Sequence, residues 1–567
     1  MTIQKGVDVL VGLVDATYAG AYTIVSGQTT GDIRISDEYV DVTHKSSTGL
    51  WREGADGAGI RNASFTVGGY LNEDSSLDTV AAAIFGTGDR HASLGFLIPG
   101  VGMAAGDFAV KLETSGALNT AAEFTLTTEN AGDVTFVPGV QDRYAMQASL
   151  VLNFVEDSYW VSGVHNTAFA SVTGASVTRV SKKWDPDWSF VSGEAVGTLE
   201  EFASGVAAVG ARGLLVEETS INTLPNPRGS GAAAGTPGTI PTGWAIDAAG
   251  SAIMTVVGSG TSNGWPYTEI TLSGTPSGDF QIYLMAATDA AALTGEDWTV
   301  SAGFEIVSGD TSNLTSLTFL VAEYTAASAF VTQGQSGALS IDTNHRRHAY
   351  TRTLDGGGTV ANARPTLYFD WAGAGALNIT LRIYAPQFEK KAYPTSPILP
   401  VTTGATTRAA DVITVANGAW SNDSGPGALF ADVTLNYPGV AAGYPRLLSY
   451  GVDGDNEVGL LVLSNTGAGF SARNTGVTQF ALTPVSNSGA GQNVKTIAAF
   501  AANDAAVSAY GETQGVDSTV DVAFGTSALG LGCAPDGNAY GANFYLRECM
   551  YAPARFSNAK CESKAGN

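Results

Sequence analysis

The chain has 567 residues, 44% of them apolar, with 70 glycines, only 14% charged residues and a formal net charge of −25. That length divides into about three or four domains of ordinary size, and a composition rich in Gly but poor in Lys, Glu and Arg excludes long helices and favours short strands joined by tight turns. The acidity disfavours adhesion to nucleic acid or to an anionic membrane, while a negative wall still lets phosphates slide past.

Behind the opening Met1-Thr2-Ile3-Gln4-Lys5 no apolar core is long enough for a signal peptide, and no window approaches the roughly 20 apolar residues of a membrane span. Synthesis in the cytoplasm without export, and no membrane partner, are therefore expected. Residues 1–140 read as a first unit of alternating runs. Phe65 and Val67 stand on one face of a strand and Ser64 and Thr66 on the other, with further strands at Phe108–Leu112 and Phe124–Thr128. One stripe breaks the alternation: Leu77, Val80, Ala81 and Ile84 have helical spacing behind a Ser75/Asp78 capping pair. This unit holds 17 acidic residues against 7 basic ones.

Pro138 and Gly139 mark a boundary. Residues 141–225, rich in aromatics, read as a β-rich adaptor that packs on its neighbours. A turn-rich passage at 226–245 opens a third unit, 226–400, with short strands at Ala252–Val257, Glu269–Leu272, Phe280–Met285, Trp298–Ile306, Leu314–Ala322, Thr366–Trp371 and Leu377–Ala385. A strap of Pro394, Pro397 and Pro400 and several threonines separates it from a last strand-rich unit, 401–567, whose tail from Cys561 onward is expected to fray. The fold class is mainly β, a sandwich or barrel with one short helix followed by jelly-roll-like sandwiches.

Chemistry-bearing patterns are sparse. There is no nucleophile elbow and no phosphate loop. No two of His44, His91, His165, His345 and His348 have zinc-ligand spacing on a helix, and all five are expected in loops or at the surface. Cys533, Cys549 and Cys561 are too few and too clustered for a disulfide framework. Asp453, Asp455, Asn456 and Glu457 could hold a cation, but the full spacing of a calcium loop is missing, so an acidic hairpin turn is the expectation. No catalytic residue and no cofactor are therefore assigned. Trp244, Trp265 and Trp420 are candidate platforms for the apolar faces of sugar rings, against the plainer reading that they are core residues.

Several segments together carry a resemblance. They are Gln4-Lys5-Gly6-Val7-Asp8, then Asp41-Val42-Thr43-His44-Lys45-Ser46-Ser47 leading to Trp51-Arg52-Glu53 and Asp56-Gly57-Ala58-Gly59. Ile98-Pro99, Gly106-Asp107-Phe108 and the ending Glu123-Phe124-Thr125-Leu126-Thr127 follow in order. Residues 1–140 thus resemble the major tail tube proteins of long-tailed, non-contractile phages and gene transfer agents, the TP901-1-like group. The resemblance implies a non-enzymatic virion subunit in hexameric rings stacked into a tube, around a lumen through which genome DNA passes. It implies a tape-measure protein and tail chaperones as partners. It also implies an extended loop, about residues 36–60, whose Asp41, Lys45, Trp51 and Arg52 touch the adjacent ring. Gly213 to Pro227 and Pro386 to Asp411 are similar to the borders of carbohydrate-binding, jelly-roll modules, and the closing Phe544–Ser557 to concanavalin-like and laminin-G-like sandwiches. These likenesses imply outer domains that decorate the tube and meet host surface glycans. The alternative is a virion adhesin or receptor-binding protein, which leaves the first 140 residues unexplained.

Overall fold

The computed structural model describes residues 10–14, 21–25, 28–38, 60–70, 91–98, 102–115, 123–138, 140, 142–247, 253–285, 289–371, 375–400, 404–423, 425–436, 445–463, 467–482, 491–510, 512–517, 527–538 and 543–566. In the first domain the described strands are β1 (Leu10–Val14), β2 (Tyr22–Ile24), β3 (Gln28–Glu38), β4 (Ile60–Tyr70), β5 (His91–Ile98), β6 (Gly102–Ser115) and β7 (Glu123–Val137). They form one antiparallel sheet in the order β2-β1-β5-β6-β7-β4-β3. Alternation builds it: Phe65, Val67, Val110, Phe124 and Leu126 turn inward, and the residues between them turn out.

Strands β4 and β5 stand three places apart in that order, about 14 Å in a flat sheet at ~4.8 Å per strand. Yet the Phe65 and Phe96 rings stack with centroids 3.9 Å apart. Phe108 meets both edge-on, at 5.6 and 5.0 Å. The sheet therefore curls over its own apolar face. The expected helix at Leu77–Ile84 lies outside the described residues.

Beyond β7 comes a one-turn helix, α1 (Arg143–Met146), capped by Asp142, whose Oδ1 accepts from the N–H groups of Tyr144 and Ala145 at 2.8 Å each. The stretch 141–225, read from sequence as a β-rich adaptor packing on its neighbours, pairs strand by strand with the last unit. Strands Leu150–Asn153 and Gly213–Glu217 both pair with Asn543–Ala552. Strand Ala175–Thr178 pairs with Val412–Val415. The adaptor thus completes the ten-stranded and seven-stranded sheets of the last unit. The physical reason is a shared core, in which Leu150, Leu152, Leu214 and Val216 pack with Leu429, Leu448, Leu531 and Leu546.

The remaining sandwich is inserted into this one. Its neck is the pairing of Ser220–Asn222 with Thr406–Arg408. One sheet runs Glu194–Ala195, Arg346–Thr353, Asp297–Asp310, Leu377–Glu389, Trp265–Gly274, Ile253–Ser262. The other runs Ala245–Asp247, Phe280–Tyr283, Asn362–Trp371, Leu314–Tyr324, Phe330–Gln335, with Ala290–Ala291 also on Asn362–Trp371. Between them lies an apolar core that includes Val300, Phe304, Phe319, Leu367, Phe369 and Leu381.

Charged groups pack at the neck with almost no exposure. Asp411 accepts from Arg179 at 2.7 Å and from Lys183, and its Oδ2 also accepts from the Glu217 N–H at 2.9 Å. Glu217 takes Lys183 at 3.4 Å, Arg408 at 3.2 Å and the Ser396 hydroxyl at 2.6 Å. Buried charges persist only when paired this fully. Burial alone would raise the Asp411 pKa, but Lys183 and Arg179 outweigh it and hold the carboxyl below the usual range.

The C-terminal tail does not fray as expected. It forms α2 (Asn558–Gly566), with Cys561, Lys564 and Ala565 buried. Lys564 reaches Asp142 at 2.7 Å and Glu548 at 3.2 Å and lies 4.1 Å from the Phe430 ring centre. Burial would lower the Lys564 pKa, and the two acids more than reverse this. The apolar cluster around this site joins Met103 and Val137 of the first domain to Trp160, Phe430 and Phe556 of the sandwich.

Candidate assembly face and surface sites

The outward face of the first domain follows from strand register. Ser64, Glu129, Ala109 and His91 align across β4, β7, β6 and β5. Thr66, Thr127 and Lys111 form the next row, and Gly68, Thr125 and Glu113 the one after. Facing residues in register share one side of a sheet. Among the described side chains the exposed acids on this face are Asp107, Glu113, Glu123 and Glu129, against the single lysine Lys111, a formal −3. Lys111 and Glu113 pair at 2.5 Å but are 69% and 62% exposed, so the pair is screened and adds little. A broad surface of small hydroxyl residues and unpaired acid repels phosphate. Strands β2 and β3 each have a neighbour on one side only among the described residues, which leaves edges able to accept a strand from another copy.

The sequence-expected sites fare differently. Asp41, Lys45, Trp51 and Arg52, with most of the expected 36–60 loop, lie outside the described residues. Trp244, Trp265 and Trp420 are corrected from sugar platforms to core residues, with 6%, 0% and 1% exposure. Their indole N–H groups are spent internally on the carbonyls of Asn226 at 3.2 Å, Gly197 at 2.9 Å and Ala416 at 3.1 Å. Asp453 and Asn456 flank a two-residue hairpin turn, Gly454-Asp455, in which Asp453 Oδ1 accepts from the Asp455 N–H at 2.9 Å and the Asn456 amide at 2.9 Å. Among the described residues no group of His, Cys, Asp and Glu is arranged to hold a metal ion. Cys533, Cys549 and Cys561 are free and buried.

His348 is corrected from a surface residue to a buried one on strand Arg346–Thr353, its Nε2 2.9 Å from the Ser340 carbonyl. His345 stacks on Tyr384 at 3.9 Å, and burial pushes its pKa down to about 3. A cavity of about 150 Å³ is lined by Asp185, Asp187, Thr198, Glu200, Gly210 and Ala211. Burial raises the Asp185 carboxyl to about 6, although Tyr545 donates to it at 2.6 Å.

Sequence reasoning did not single out the polar rows on β4 to β7. Their signal was present in the alternation of Phe124-Thr125-Leu126-Thr127, which names the outward residues as readily as the inward ones.

Residues 3–136 match the family described as phage tail tube protein. Among solved structures, the chain is 30% identical to one from the virion of a native gene transfer agent particle, covering 24% of this chain and 98% of that one, with a TM-score of 0.21. It is 33% identical to one from the tail of an empty gene transfer agent particle refined with C6 symmetry, again covering 24% and 98%, with a TM-score of 0.21. The family match and the identity carry the assignment, and the TM-scores add nothing to it. The N-terminal CBM22 tandem domain of Paenibacillus barcinonensis Xyn10C, at 10% identity, covers 62% of this chain and 100% of its own, with a TM-score of 0.20 too low to carry an argument. The search of curated proteins found no match.

Proposed function

Since the chain belongs to the phage tail tube proteins through its residues 3–136, we propose that it forms six-membered rings that stack into the DNA-conducting tube of a virion tail. It is a structural protein of that tail. The match over the first domain carries this reading, and the C6 symmetry of the gene transfer agent tail supports the ring number. The acidic hydroxyl-lined face of β4 to β7 then faces the lumen, where its formal −3 per subunit lets DNA pass without sticking. The open edges β2 and β3 meet neighbouring subunits, and the loop at about residues 36–60 reaches the adjacent ring. Assembly proceeds on a tape-measure protein with tail chaperones.

The two sandwiches after residue 140 stand outside the tube and contact surface glycans. No catalytic role is assigned to them. The test is electron microscopy of the purified chain: stacked rings with a central channel and outer knobs support the reading, and a trimer or a solitary tip ornament refutes it.

A further inference from the structure

We propose that the cavity beside the paired strands Lys183–Asp185 and Glu200–Phe202 binds an alkylammonium group, the charged end of a free amine or of a lysine from a neighbouring copy. Register builds it: Asp185 stands opposite Glu200 across the two strands, and Gly210 and Ala211 close one wall. Asp185 is the deepest acid, 3% exposed. Its Oδ1 is taken by the Tyr545 hydroxyl at 2.6 Å and the Asp187 N–H at 3.0 Å. Its Oδ2 has no hydrogen-bond partner among the described residues. That oxygen is turned toward Gly210 in the cavity wall, where a Cβ would come within 2.5 Å of it, so only glycine leaves the carboxylate its place. A buried carboxylate oxygen left open on a cavity is costly, and a donor that enters the cavity offsets that cost.

The rim sets the charge. Asp187 and Glu200 bring two more carboxylates, and Glu200 is exposed. Among the described residues the cation paired with these three acids is Arg212, 3.0 Å from Asp187 Oδ1. Lys183 also acts on Asp185, but it is held by Asp411 and the Leu215 carbonyl, and Glu217 beside it adds negative charge. An anion is therefore repelled. A calcium ion needs its oxygens to converge at about 2.3–2.6 Å from one point, and no group of acids among the described residues is so arranged. A space of about 150 Å³ holds more than a bare ion: it takes an ammonium and part of its carbon stem. The three N–H donors of an ammonium can meet Asp185 Oδ2, Glu200 and the Thr198 hydroxyl, which leaves Gly210 and Ala211 to the stem. The ammonium pairs with ionised Asp185, whose carboxyl burial raises to about 6. Binding should thus strengthen about tenfold per pH unit up to that value and level off above it.

The test is isothermal titration calorimetry of the full chain at about pH 8 and about 150 mM salt, which screens scattered surface binding. The probes are n-butylamine, tetramethylammonium as a cation without N–H donors, and calcium chloride. n-Butylamine should bind at one site per chain, and the other two should not bind there. Asp185→Asn should weaken n-butylamine at least tenfold and Glu200→Gln, at an exposed position, several-fold, while Glu562→Gln on α2 should leave it unchanged. Between pH 6 and 5 the parent should lose affinity about tenfold and the Asp185→Asn variant should not. A thermal melt confirms that each variant is folded. Sedimentation separates the two sources. Self-association weakened by both n-butylamine and Asp185→Asn assigns the site to a neighbour's lysine, and self-association unchanged by both assigns it to a free amine. No binding of n-butylamine, binding matched by tetramethylammonium, or binding untouched by Asp185→Asn would overturn the ammonium site. Calcium bound in preference would overturn the choice of ligand. Each of these results leaves the tube reading intact.

Discussion

Replacing Asp411 with Asn should unhinge the inserted sandwich from its host. The carboxylate is 1% exposed and neutralises Arg179 and Lys183, both 0% exposed. Asn keeps the shape and still accepts from the Glu217 N–H, so the perturbation is chiefly the lost charge. Lys183 and Arg408 then share the one remaining carboxylate, Glu217, and Arg179 loses its acidic partner. Breaking a buried pair this way costs about 3–5 kcal/mol, and a unit of this size loses about 2–4 °C per kcal/mol, so its transition should fall by roughly 6–20 °C. Differential scanning calorimetry of the full chain measures this directly. The pH dependence gives a second readout. Because the folded carboxyl titrates below its unfolded value of about 3.9, the stability it contributes is complete above that pH and is lost as the pH falls through the folded value. The Asn variant should lack that acid-induced step. A shift below about 2 °C, or an unchanged acid limb, would refute the reasoning that charge pairing at the neck holds the two sandwiches together.

Asp185→Asn should act in the opposite sense. An acid raised to about 6 when folded weakens the fold as pH rises from about 4 through 6, so the variant should be more stable by about 2–3 kcal/mol at pH 8 and equal to the parent below pH 4 in urea melts. Lys564→Met removes the cation shared by the half-buried Asp142 and Glu548, and should cost about 1.5–3 kcal/mol and make the junction before α1 more open to limited proteolysis. The pair Glu113→Lys and Glu129→Lys turns the β4–β7 face from a formal −3 to +1, so tubes should still assemble but now retain short duplex DNA in a gel shift that the parent does not give.

The first domain was legible because its strands alternate cleanly, as at Phe65 and Val67, and because its segments resemble one family in order and spacing. The discontinuous sandwich was not legible. Leu150–Asn153 finds its partner at the far end of the chain, in Glu548–Tyr551, and no local pattern encodes such a pairing. Strand Arg346–Thr353 was hidden by its polar residues: Arg347 and His348 are buried, and the two terminal nitrogens of Arg347 donate to the Ala385 carbonyl and the Ser301 hydroxyl. The tryptophans misled for a related reason. An indole reads as a platform when its N–H partner cannot be seen, and Trp244, Trp265 and Trp420 each find a backbone carbonyl. Tyr368 stands between the core residues Leu367 and Phe369, which sends its ring to the opposite face.

A helical reconstruction of the virion tail by electron microscopy tests the central claim most directly. It should show sixfold rings whose wall is built from the first 140 of 567 residues, with the acidic face of β4 to β7 toward the lumen and the larger remaining mass projecting outward. A wall built from the two sandwiches, or this chain confined to the tail tip, would contradict it.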